Sequence, residues 1–153
     1  MRGLARRIRS FARLSGPRRR LFLEAWLLLP TVWVALRLAG FRRVHGAIEG
    51  RPLGAAGGPA PGVRAAAVEA VRLAGAHAPV SVNCLLESLV LCRVLRSRGI
   101  EADLRFGVRH EGGRFLAHAW VESDRVVLND RPDVGEHYRP FREPIRVATR
   151  DWR

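Results

Sequence analysis

Asn83-Cys84-Leu85-Leu86-Glu87-Ser88, Phe115-Leu116-Ala117-His118-Ala119-Trp120-Val121-Glu122 and Val126-Val127-Leu128-Asn129-Asp130 are the segments whose reading decides the fold of this chain. The first has helical spacing. Cys84, Ser88, Leu91 and Leu95 share one face, and Leu85, Leu89 and Cys92 lie beside it. Asn83 is a good N-cap, which makes Cys84 the first helical residue. Gly99 fits the residue just past the helix end, and Arg93, Arg96 and Arg98 complement the dipole there. The period then changes to two. Residues 101–109 put Ala102, Leu104, Phe106 and Val108 on one face, and Glu111-Gly112-Gly113 is a hairpin turn. Residues 114–122 and 125–130 read as two further strands. Helices followed by an antiparallel meander make an α+β domain.

Cysteine at a helix start, histidine within a strand and aspartate at the end of the next strand fit a thiol nucleophile, its base and the group that orients the base. The helix N-terminus favours a thiolate, and its unpaired amides can hold an oxyanion, with Asn83 and Ser81 as further candidates. The competing reading of Cys84 is a small buried hydrophobe, and for the mid-helix Cys92 that reading wins. His118 sits between two alanines, which leave room for another element to approach. A three-residue loop, Ser123-Asp124-Arg125, would pair Glu122 with Val126, Trp120 with Leu128 and His118 with Asp130. A two-residue loop would set His118 against Asn129, also a competent orienting group. Sequence leaves both registers open. The other histidines, His45, His77, His110 and His137, read as surface residues, and Glu87 as an ordinary first-turn acid.

Upstream, residues 1–20 form a basic arm with eight of the 27 basic residues and no acid before Glu24. All 27 are arginine, so lysine chemistry is excluded. Residues 21–41, within an N-terminal helical segment 21–49, are strongly apolar and read as two helical pieces meeting at Pro30, the uninterrupted apolar run being too short to span a membrane. Arg19-Arg20-Leu21-Phe22-Leu23 matches the core of a twin-arginine export signal, but Glu24 and Arg37 bracket the apolar run and Leu38-Ala39-Gly40 is a poor cleavage site. Residues 50–62 are a Gly/Pro loop. Residues 63–76 form an alanine-rich helix with Val68, Val71 and Leu73 inward, and the core unit runs from 63 to 153, ending in an irregular tail after 131. The two cysteines, eight residues apart on one helix, stand about 12 Å apart, too far for a disulfide. Free thiols suit a reducing cytosol, and no metal-ligand spacing or cofactor motif is present. The net charge of +13 admits a nucleic-acid module, but no docking motif or aromatic-basic interleaving supports one, and nucleic acid is not expected as a partner.

The combination Cys84-Leu85-Leu86-Glu87-Ser88-Leu89, Ala117-His118-Ala119-Trp120-Val121-Glu122 and Leu128-Asn129-Asp130 resembles the transglutaminase-like (papain-type) fold. With Arg18-Arg19-Arg20-Leu21-Phe22-Leu23-Glu24-Ala25 and Leu95-Arg96-Ser97-Arg98-Gly99-Ile100, the chain is similar to the B2-type leader peptidases of lasso-peptide biosynthesis, from about Leu14 onward. The resemblance implies a cysteine protease that removes a leader from a ribosomal precursor, with Cys84, His118 and Asp130 as nucleophile, base and orienting acid. It implies a lasso precursor peptide, a separate leader-recognition protein and a lactam-forming ATP-dependent synthetase as partners. An amidase or transglutaminase with the same triad is the alternative chemistry. A cytoplasmic protein, with peripheral membrane contact through the arginine arm, completes the expectation.

Overall fold

The structure, a computed structural model, describes residues 16–54 and 61–140. Most of the basic arm, the centre of the Gly/Pro loop and the end of the tail lie outside the described residues.

The apolar N-terminal segment forms helix α1, Gly16–Glu49, which takes in Arg18, Arg19 and Arg20 of the basic arm. Pro17 lies in its first turn, where a missing N–H is no loss. The expected junction at Pro30 is a correction: the helix runs through Pro30 and breaks at Gly40 (φ 77°, ψ 166°). Leu29 and Val32, flanking Pro30, are buried, so packing outweighs the bond that proline deletes. At Gly40 a positive φ costs glycine nothing. The change of direction there sets Phe41 edge-on to Phe106 at 5.5 Å and stacks it on His45 at 5.2 Å. His45, expected on the surface, is therefore buried, with Nε2 3.3 Å from Glu49 Oε1.

Helix α2, Val63–Gly75, presents Ala67, Ala70, Val71 and Ala74 to the core. This is i, i+3, i+4, i+7 spacing, and it turns Leu73 outward, contrary to expectation. Helix α3, Cys84–Arg96, is enclosed by α1, α2 and the sheet, and Leu89, Val90, Leu91, Val94 and Leu95 are inaccessible. Its end closes as the sequence predicts. Ile100 N–H reaches the Leu95 carbonyl (3.2 Å), Gly99 N–H reaches that of Arg96 (3.1 Å), and Gly99 takes φ 73°. Glu24 of α1 clamps this end through Arg98 (Nη2–Oε2 2.5 Å).

The sheet holds β1 Asp103–Glu111, β2 Arg114–Ser123, β3 Val126–Val127 and β4 Arg139–Pro140, in the order β3-β2-β1-β4, with every pair antiparallel. Gly112-Gly113 makes a two-residue turn, both φ positive, that fixes Gly107 opposite His118. The second hairpin corrects both registers entertained from sequence. Its turn is Asp124-Arg125 (φ 50° and 66°), pairing Ser123 with Val126 and Glu122 with Val127. Asp124, exposed on the turn, is ion-paired to Arg64 of α2, which helps hold this unusual turn of two non-glycine residues. The tail is less irregular than it reads: α4, Val134–His137, leads into β4, which pairs Arg139 with Val108. Helix α3 packs on β2, giving the expected α+β arrangement of a helix start against a meander.

Candidate active site

Asn83 caps α3 from an extended backbone (φ −117°, ψ 174°), its side-chain oxygen accepting from Leu86 N–H at 2.9 Å. The carboxamide oxygen of this oxyanion candidate is thus spent on the helix. The first-turn amides of Cys84 and Leu85 have no acceptor within the helix. Cys84 is half-buried, whereas Cys92 lies in the core, where burial pushes its thiol up to about 12. Ser81 is exposed on the approach to the helix.

His118 and Asp130 are brought together. His118 Nε2 is hydrogen-bonded to Asp130 Oδ2, both side chains being about three-quarters buried. Asp130 Oδ1 accepts from Arg131 N–H at 2.7 Å, which orients the carboxylate. The imidazole nitrogen not engaged with Asp130 is Nδ1. Asn129 is not on His118. Its side-chain oxygen accepts from Val121 N–H (2.8 Å) and its Nδ2 donates to Ser88 Oγ (3.0 Å).

Two observations join the helix start to this pair. Ser88, one turn beyond Cys84 on the same face, is inaccessible and donates to the carbonyl of Ala119, the neighbour of His118, at 3.2 Å. Glu87, three residues from Cys84, has its carboxyl raised above the ordinary value. Burial is the main cause; Arg72 opposes it, and the charge of Asp130 adds to it. The Asp130 contribution, the smallest of the three, puts the two carboxyl groups within reach of each other's charge.

Sequence reasoning passed over three residues here. Tyr138, the chain's single tyrosine, lays its ring 4.9 Å from that of His118, under the guanidinium of Arg109 at 5.1 Å. Gly107 makes the space. A Cβ there would stand 2.7 Å from Tyr138 Cβ and 3.0 Å from the Trp120 ring. Trp120 is itself fixed by Nε1–H to Glu122 (2.8 Å), which also holds Arg105 (3.0 Å). Ser88 is the third, and only its place on the Cys84 face hinted at a role. An open groove of about 710 Å³ lies between Val68, Arg72 and Leu73 of α2 and Val127-Leu128. Among the described residues no cluster of His, Cys, Asp or Glu is placed to hold a metal ion.

The sequence profile of the transglutaminase-like superfamily matches residues 26–143, most of the chain. The chain belongs to the transglutaminase-like superfamily. The matched region of this superfamily member begins inside α1 and takes in Cys84, His118 and Asp130. A stretch of 52 residues is 44% identical to the Microcin J25-processing protein McjB of Escherichia coli; it covers 34% of this chain and 24% of that protein. The likeness thus spans about a quarter of the relative's length. No solved structure matches the chain significantly.

Proposed function

We propose that this transglutaminase-like protein processes a lasso-type precursor peptide by cutting off its leader, as a cysteine peptidase. The observation that carries the reading is the His118–Asp130 bond, made from the strand whose Ala119 carbonyl ties down α3 one turn past Cys84. The relative's name, a processing protein for a microcin, supports the substrate class. The catalytic unit is residues 63–153, braced by the helical segment 21–49.

In this reading Cys84 Sγ loses its proton to His118 Nδ1 and attacks the carbonyl of the leader's last residue. The amides of Cys84 and Leu85 receive the oxyanion. His118, its ring fixed by Asp130, returns the proton to the departing core-peptide amine, and the thioester forms. Water, deprotonated by His118, then releases the leader and restores the thiol. The groove between α2 and Val127-Leu128 and the edge that β3 forms among the described residues accept the extended peptide. The separate leader-recognition protein supplies affinity, and the lactam synthetase takes the freed core.

The test is alkylation by iodoacetamide at pH 8 with peptide mapping. Cys84 is expected to label and Cys92, buried and protonated, to remain unlabelled. His118→Ala should slow labelling of Cys84 about tenfold or more. An unchanged rate in that variant would count decisively against the pair.

Cytoplasmic residence with membrane contact belongs to the same proposal. Helix α1 is long and apolar enough to cross a membrane by length and composition. One face is committed to the core, and the opposite face exposes Leu23, Leu27, Val34 and Leu38 near Arg19, Arg20 and Arg37. Such a stripe fits a helix lying on an anionic bilayer surface. The protein should sediment with phosphatidylglycerol/phosphatidylcholine vesicles, and Leu27→Ser with Leu38→Ser should cut binding by about tenfold or more. Sedimentation that the double variant leaves unchanged would remove the stripe from the proposal.

A further inference from the structure

The hairpin register poses a geometric problem that the structure solves with one side chain. The Asp124-Arg125 turn pairs Glu122 with Val127. Continued as a regular ladder, that register would place Arg131 opposite His118 and Asp130 opposite Ala119. Neighbouring residues on a strand point to opposite faces, so Asp130 would face away from the imidazole. A ladder that simply ran on could not make the His118–Asp130 bond.

The ladder ends at a definite place. Val121 and Leu128 are directly opposed and would normally exchange two bonds. Leu128 N–H does donate to the Val121 carbonyl, at 2.9 Å. The return bond is different: Val121 N–H donates to the side-chain oxygen of Asn129, at 2.8 Å. The carboxamide stands where the Leu128 carbonyl would be. Val121 is inaccessible, so its N–H needs an acceptor, and Asn129 supplies one while releasing the main chain to bend. The bend delivers Asp130 to His118 Nε2. The other end of the same carboxamide donates to Ser88 Oγ at 3.0 Å, and Ser88 donates to the Ala119 carbonyl at 3.2 Å.

We infer that Asn129 and Ser88 are positioning residues: the Asn129 carboxamide replaces a ladder carbonyl, turns Asp130 onto His118, and through Ser88 locks the helix that begins at Cys84 to the same strand. The catalytic meaning of this pin rests on the cysteine-peptidase reading; the pin itself does not. Asn129 is here not the group hydrogen-bonded to His118. Its two hydrogen-bonding ends serve two different elements.

The experiment reads the His118–Asp130 bond directly. A ring N–H held by a carboxylate gives a slowly exchanging, far-downfield proton signal in NMR, and wild-type protein should show one that Asp130→Ala abolishes. Asn129→Ala should lose this signal while the backbone amide spectrum away from residues 118–131 is retained. Ser88→Ala, which keeps the Val121 bond and removes only the link to α3, should broaden or weaken it. Cys84 alkylation by iodoacetamide should slow about tenfold in each variant. The Ser88→Ala/Asn129→Ala double variant should be slower than Asn129→Ala by much less than tenfold, because the two share one bond. A downfield proton that survives in Asn129→Ala, or is absent from wild type, overturns the pin. Should Asn129→Ala not fold, Ser88→Ala decides, and a wild-type signal with a wild-type alkylation rate in that variant overturns the pin. A wild-type Cys84 that is inert to alkylation sinks the peptidase reading alone, since the proton signal still judges the pin.

Discussion

Replacing Cys84 by alanine is expected to reduce cleavage of the precursor by about 10⁴-fold or more while leaving the fold intact. The asymmetry follows from where the residue sits. Cys84 is the first residue of α3 and only half-buried, and alanine is the best helix former. The cap that starts the helix belongs to Asn83, and the burial that holds it belongs to Leu86 through Leu95, neither of which the substitution touches. Asp130→Ala should cost less, about 10² to 10⁴-fold, because the imidazole remains but loses its orientation. The two changes act on one chemical step, so the Cys84→Ala/Asp130→Ala double variant should be no slower than Cys84→Ala alone. Mass spectrometry of a lasso-type precursor, incubated with the proposed leader-recognition protein, gives the rates, and thermal melting checks the fold. Full cleavage by Cys84→Ala would end the proposal. A product joined to an amine rather than water would move it to a transferase with the same residues.

Which parts of this site were legible in sequence depends on how far apart the interacting residues lie. The cap at Asn83 and the closure at Gly99 are local devices, satisfied within a few residues, and the structure places both where the spacing puts them. The glycine turn at 112–113 is local as well, since two consecutive glycines accept the positive φ that a tight hairpin needs. The second turn has no such signature. Asp124 and Arg125 adopt positive φ without being glycine, and Asp124 is held by Arg64, sixty residues upstream. A turn that such a tertiary contact helps to hold is invisible to a reading of the hairpin alone.

The pairing of His118 with Asp130 shows a right partner reached for a different reason. Direct cross-strand opposition is the reason sequence offers, and the observed register rules it out. The bond forms because β3 stops after two paired residues and Asn129 carries the ladder one step further with its side chain. Alternation cannot announce such an ending, because Val126-Val127-Leu128 reads as a strand that continues. Along α1 the same lesson appears with opposite sign. Pro30 is the strongest local breaker in the segment, yet the helix bends at Gly40, where Phe41, Val44, His45 and Ile48 gain a core to pack into.

Gly107→Ala should impair the site more than it impairs the fold, and this too is decided by distant residues. In the sequence Gly107 is a weak position in an otherwise good strand. In the structure it lies opposite His118, and a methyl group there would stand 2.7 Å from Tyr138 Cβ and 3.0 Å from the Trp120 ring. Trp120 cannot yield easily. It is 1% exposed and tied to Glu122, which is tied to Arg105. Tyr138 sits on the tail beside the short pairing of β4 with β1, so it is the neighbour that moves. Moving it strips the ring from His118 and from beneath Arg109. Overpacking of this kind costs about 1–3 kcal/mol, a few degrees of melting temperature. Cys84 alkylation and precursor cleavage should fall about tenfold or more, because an imidazole free to tilt spends less time in line with the thiol. Tyr138→Gly in the Gly107→Ala background removes the clashing Cβ and should recover part of the lost stability without recovering the rate. Recovery of both would show that Tyr138 only fills space; recovery of neither would place the strain at Trp120.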